Sequence, residues 1–236
     1  MTKIIPLNQN IHGNTRVKQS NDYSRFKDQF VIPLVVQDFV PLASEFPIVF
    51  LKNAETGEFL PAAMMGLKKG VNAYCQTAEW EAPVRPLGFK NAPLSLSVVN
   101  ENKEDLFVCI DEDSDLVSDS EGELLFNTDG TETEFLKQSK DTLLNMVSFQ
   151  EQTRAITDYF VQNKLLTSRQ LTVNLKSEDK PVQIDGIYLI DENKIKDLPD
   201  DTFNELRKKG LLPLIYAHIH SLQQVGRLVS KHNSLT

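Results

Sequence analysis

Three places in the sequence hold side chains whose type and spacing could do chemistry. The first is a carboxylate run in which Asp111, Asp113 and Asp115 alternate as the opening of a calcium loop would. An EF-hand then requires glycine at the sixth position and glutamate at the twelfth. This chain has Leu116 and Gly122 there. Paired carboxylates can also exchange protons in a cleft that shifts a pKa. The plain alternative is a solvated turn whose Asp and Ser side chains bond nearby amides.

The second place is Tyr216-Ala217-His218-Ile219-His220-Ser221-Leu222. Neutral imidazoles are good ligands for iron and zinc. On a helix, however, residues i and i+2 face different sides, whereas helical metal pairs use i and i+4. A carboxylate two residues after His218, which would start a facial triad, is missing. A packed histidine bonded to a sheet carbonyl is the plainer expectation.

The third is the loop running from Trp80 through Pro83-Val84-Arg85-Pro86 to Phe89. An aromatic, proline-rich loop with one arginine can form a binding groove, with Arg85 as an anion or carboxylate anchor. It can equally be an edge loop with Trp80 packed on a sheet. Asp191 and Glu192, at the exit of the apolar run Ile187–Ile190, are placed to line a pocket. No nucleophile elbow, phosphate-binding loop or dinucleotide fingerprint is present. Cys75 and Cys109 are the only cysteines, in apolar surroundings and without a CxxC spacing, so they read as buried thiols of a reducing compartment.

These residues need a scaffold, and 236 residues suffice for a sizeable core. The net charge of −8 is unevenly spread: Glu101 to Glu134 holds thirteen acidic residues against Lys103 alone. An acidic lobe on a mildly basic body argues against a broad nucleic-acid surface. No run approaches the roughly 18 apolar residues of a membrane span, and the N-terminal residues lack the apolar stretch of a signal peptide. A soluble, cytoplasmic protein is expected.

Residues 1–30 read as a polar N-terminal arm and 31–236 as a single domain. Short apolar runs separated by turns predict antiparallel strands at 31–36, 47–52, 60–67, 71–77, 93–99 and 105–110, then 170–175 and 182–190. Pro33 limits central pairing of the first, and Glu55-Thr56-Gly57-Glu58 is a hairpin turn. Helical spacing predicts a long helix over 131–166, with Thr131 and Glu134 as a capping box, a short one over 200–209, and a C-terminal helix over 211–231. The fold class is α+β: a curved antiparallel sheet with helices packed mainly on one side.

In order, the chain resembles the SapC family of bacterial proteins, named for a surface-layer-associated gene. The resemblance rests on Phe46-Pro47-Ile48-Val49-Phe50, Pro61-Ala62-Ala63-Met64-Met65-Gly66-Leu67, Asn72 with Tyr74, and Trp80. It continues through Asp111-Glu112-Asp113-Ser114, Glu121-Gly122, Leu125-Phe126 and Asp129-Gly130, then Gly186, Asp191-Glu192 and Tyr216-Ala217-His218 with Ser221-Leu222. The family-like Arg-Tyr-Pro-Phe stretch is kept only approximately in Pro83–Phe89. The resemblance implies an accessory protein of the cytoplasm or envelope, linked by name to surface-layer export. In aquatic bacteria such genes accompany outer-membrane receptors, cupin-like proteins and flavin-dependent tryptophan halogenases. It carries over no catalytic residues.

The expectation is therefore a non-enzymatic binding protein without a cofactor, taking a peptide, glycan or protein partner in envelope transport or modification. Its expected contacts are Trp80, Arg85 and Phe89, with Asp111, Asp113, Asp191 and His218. The competing expectation is a metal-dependent oxygenase-like enzyme acting on peptides, with iron or zinc on His218, His220 and an aspartate. Self-association as a structural protein is a third.

Overall fold

A computed structural model describes residues 3–77, 79–98 and 106–235. In chain order the regular elements are β1 (Ile4–Pro6), α1 (Gln9–His12), β2 (Arg16–Val17), β3 (Val31–Pro33), α2 (Phe39–Leu42), β4 (Ile48–Lys52), β5 (Phe59–Met64), β6 (Leu94–Val98), β7 (Leu106–Asp111), β8 (Val117–Ser118) and β9 (Glu123–Leu124). Then follow α3 (Glu134–Gln162), β10 (Leu166–Val173), β11 (Val182–Ile190), α4 (Glu192–Lys196), α5 (Asp200–Lys208), α6 (Leu212–Ser221) and α7 (Val225–Asn233). The fold is α+β, and among the described residues every strand pairing is antiparallel. Two compact units share the chain: residues 1–21 with 88–148, and residues 22–87 with 149–236.

In the first unit β7 lies between β1 and β6, and β2 lies between β8 and β9. The amino-terminal residues thus supply two strands of this unit. Val17, Leu94, Ile110, Leu125, Phe126, Leu136 and Leu143 form its core. Gly122 turns the chain toward β9 with φ +99°, and a Cβ there would fall 2.3 Å from the Val17 carbonyl oxygen. Only glycine fits so close to β2. The long helix is capped two residues later than the capping box suggested. Thr133, not Thr131, accepts the Leu136 amide (3.2 Å), because Thr131 is spent on Asp129 in the preceding turn.

In the second unit the sheet order is β10-β11-β4-β5-β3, so Pro33 sits on an edge strand, as its missing amide requires. The β4–β5 hairpin turns where expected: Asn53 Oδ1 accepts the amides of Glu55 and Thr56, and Gly57 supplies φ +74°. Phe50 is fully buried and meets Phe39 of α2, Phe160 of α3 and His218 of α6, which places three helices on one face of the sheet.

Two expectations fail here. Residues 71–77 form a loop rather than a strand, because the fully buried Asn72 uses its side chain to organise backbone: Oδ1 accepts the Tyr74 amide (2.9 Å) and Nδ2 donates to the Phe26 carbonyl (3.2 Å). The C-terminal helix is not continuous. It tightens into a 3-10 turn over Leu222–Gln224, just where the Ser221 hydroxyl donates back to the His218 carbonyl (2.6 Å). Such back-bonding competes with the helical ladder and bends it.

Candidate functional site

The two histidines do not form a pair. His218 is fully buried and His220 is exposed. His218 Nε2 accepts the backbone N–H of Ile190 at 3.0 Å, so its lone pair is occupied. Burial holds the His218 pKa down to about 3, against a smaller opposing pull from the Ile48 backbone, and the ring is neutral at physiological pH. The bond expected to a sheet carbonyl is instead one from a sheet amide. The iron or zinc centre built on this pair has no geometric basis. Among the described residues, no group of three or more His, Cys, Asp or Glu side chains is placed to hold a metal ion.

The acidic segment is a surface turn in the first unit. Asp111 Oδ1 accepts the Asp113 amide (3.3 Å), Ser114 Oγ the Leu116 amide (3.3 Å), and Ser118 Oγ the amides of Ser120 and Glu121. Glu112 binds the Lys3 ammonium and accepts from His12 Nε2 (3.2 Å). Its pKa lies below the usual glutamate value, first through the Lys3 bond. Of the three aspartates that suggested a calcium loop, Asp111 bonds its own backbone, and the serines at 114 and 118 hold the rest of the turn. Residues 101–105, part of the acidic run, lie outside the described residues.

Trp80 and Arg85 do come together, in the second unit. Trp80 Nε1 donates to the Val84 carbonyl (3.0 Å), closing the loop on itself, and the Leu87 amide is held by the buried Asp38 (3.0 Å). Pro83 and Pro86 stiffen the stretch between. Arg85 is exposed and donates to the Tyr23 hydroxyl at 2.8 Å. Trp80, half-buried, meets Tyr23 edge-on with ring centroids 5.6 Å apart and adjoins the buried rings of Phe46 and Tyr74. The guanidinium of Arg25 lies 5.1 Å from the Tyr23 ring centre and that of Arg85 5.7 Å. Lys231 adds a third cation, 4.8 Å over Tyr74 and paired with Glu81.

The result is an aromatic floor with guanidinium groups on it. Such contacts give roughly 0.5–1 kcal/mol each at exposed sites and hold the charges in place. Tyr23 and Arg25 fell inside the stretch read as a polar arm. Their signal was the aromatic–basic sequence Tyr23-Ser24-Arg25-Phe26. Phe89 is buried and belongs to the other unit, so it presents no ring to solvent. Asp191 caps α4 by accepting the Asn193 amide (3.1 Å) and pairs with Arg169 (3.1 Å).

No helix among the described residues is long and apolar enough to cross a membrane. No curated protein and no solved structure matches the chain. The SapC family model matches residues 7–228, nearly the full length and every box described above. The chain belongs to the SapC family.

Proposed function

We propose that this SapC protein is an accessory binding protein without catalytic chemistry of its own. Its partner is a peptide, glycan or protein of cell-envelope transport or modification that presents a carboxylate. The observation that carries this reading is the Tyr23–Trp80–Arg85 arrangement: an exposed guanidinium fixed by a tyrosine hydroxyl beside the edge of a half-buried tryptophan. Guanidinium groups recognise carboxylates through paired N–H donors, and a flat ring beside them offers apolar area to a peptide backbone or a sugar face.

The family resemblance supports an envelope-linked role, and His218, its lone pair occupied, supports a framework role for the C-terminal box. The reading is tested on immobilised arrays of peptides and glycans. Bound spots should be rich in acidic residues or acidic sugars and should be lost with Arg85→Glu and with Trp80→Ala. An unchanged pattern in both variants contradicts it.

A further inference from the structure

On the sheet face opposite Phe50, Val49 of β4, Met64 of β5, and Ile187 and Leu189 of β11 line a cavity of about 280 Å³, with Leu222 and Val225 of the C-terminal segment completing the wall. Each of these side chains is aliphatic or a thioether. Two polar residues of β10 reach the cavity, Gln170 and Arg169. The Gln170 side chain is committed to Asp185 (2.6 Å). Arg169 is thus the cation at the mouth, with 54% of its side chain exposed.

Asp191 fixes that cation. Its Oδ2 accepts from Arg169 Nη2 at 3.1 Å, and its Oδ1 is tied to the start of α4 through the Asn193 amide. A guanidinium carries five N–H donors in a rigid fork. The Asp191 contact uses one nitrogen, and among the described residues the others meet no further partner.

We propose that this cavity binds the chain of a medium-chain fatty acid, with the carboxylate on Arg169. The lining suits a flexible aliphatic chain, and the only charge that reaches it is positive. Size sets the chain length: an apolar cavity of about 150 Å³ is enough for benzene. Sites for drug-sized ligands begin near 300 Å³. The space therefore takes one short chain and excludes a two-chain lipid. This site is independent of the Trp80–Arg85 surface, and either proposal can fail alone.

The test is a titration of the full chain, with its methionine methyl groups carbon-13 labelled, by sodium decanoate, read by NMR. The Met64 signal is assigned by Met64→Leu. One saturable site that shifts Met64 is expected. Arg169→Gln should weaken decanoate roughly tenfold, the loss of one charge-assisted contact. Decanol, lacking the charge, should bind the wild type as weakly as decanoate binds the variant. Val225→Phe, which fills the cavity from its rim, should abolish the shift. A Met64 signal unmoved at the solubility limit of decanoate overturns the proposal. So does equal affinity of the wild type and Arg169→Gln for decanoate.

Discussion

His218 and Ser221, three residues apart on α6, divide between them two backbone amides where the sheet opens. The pairs Ile187 with Leu51 and Tyr188 with Phe50 run β11 antiparallel to β4, so the next hydrogen-bonding pair in that register is Ile190 with Ile48. Those amides do not bond each other. Ile190 N–H goes to His218 Nε2 (3.0 Å) and Ile48 N–H to Ser221 Oγ (2.9 Å). An orphaned buried amide costs about 1–3 kcal/mol, so the helix is locked to the sheet at the place where the ladder would otherwise lose two bonds. This gives the Tyr216–Leu222 box a structural role.

His218→Ala removes an acceptor and leaves a cavity against Phe50, and about 3 kcal/mol of destabilisation is expected in urea unfolding followed by Trp80 emission. The pH dependence separates this from plain loss of packing. The folded-state pKa of His218, about 3, lies below the ordinary 6.5, so the unfolded chain binds the proton more tightly. Stability from this residue is complete above pH 6.5 and is lost as pH falls toward 3. Between pH 6.5 and 5.5 the wild type should lose about 1 kcal/mol that the variant does not lose. Equal slopes would contradict the assignment.

Thr133→Ala should cost about 1 kcal/mol through loss of the α3 cap, measured by denaturant unfolding. Thr131→Ala should cost less, since Thr131 serves an exposed turn with Asp129. The reverse order would restore the cap read from sequence.

Lys164 ends α3 in the left-handed region at φ 56°. The amides of Leu165 and Lys164 return to the carbonyls of Phe160 and Val161, the bonding of a Schellman motif. Lys164→Gly keeps these bonds and relieves the Cβ conflict, so a gain of about 1 kcal/mol is expected in thermal or urea unfolding. A loss would mean that the lysine side chain contributes more than the backbone strain.

Cys75 and Cys109 are both buried free thiols. Burial pushes the Cys75 pKa up to about 12 and raises that of Cys109. The thiolate is the reactive form, so disulfide exchange with Ellman's reagent should be slow in the folded protein and fast in denaturant. Rapid reaction of either thiol in native buffer would show that its burial is not maintained in solution.

The parts of this fold that sequence disclosed are those built by local rules. The Asn53–Glu58 turn was marked by its glycine, the long helix by its spacing, and the end of β11 by the apolar run Ile187–Ile190. What stayed hidden depends on distant partners. β2 is two residues long and exists because it lies between β8 and β9, about a hundred positions away. Residues 71–77 read as a short apolar run between turns, and one buried amide side chain overrides that pattern. For the site, Trp80 and Arg85 were visible as residue types, but Tyr23, which joins them, lay in a segment that composition alone marked as polar. His218 was legible as a packed histidine, while its amide partner required the register of β4 and β11.

The most direct measurement uses the fact that Trp80 is the only tryptophan. Its emission reports on the proposed surface without a label. The wild type and Arg85→Glu are titrated with an oligoglutamate peptide, with an oligolysine peptide as control. The account predicts a saturable change in the wild type, roughly tenfold weaker in the variant, and none with oligolysine. Emission that ignores oligoglutamate at millimolar concentration, or responds equally in both proteins, would contradict a carboxylate-binding surface at Trp80 and Arg85.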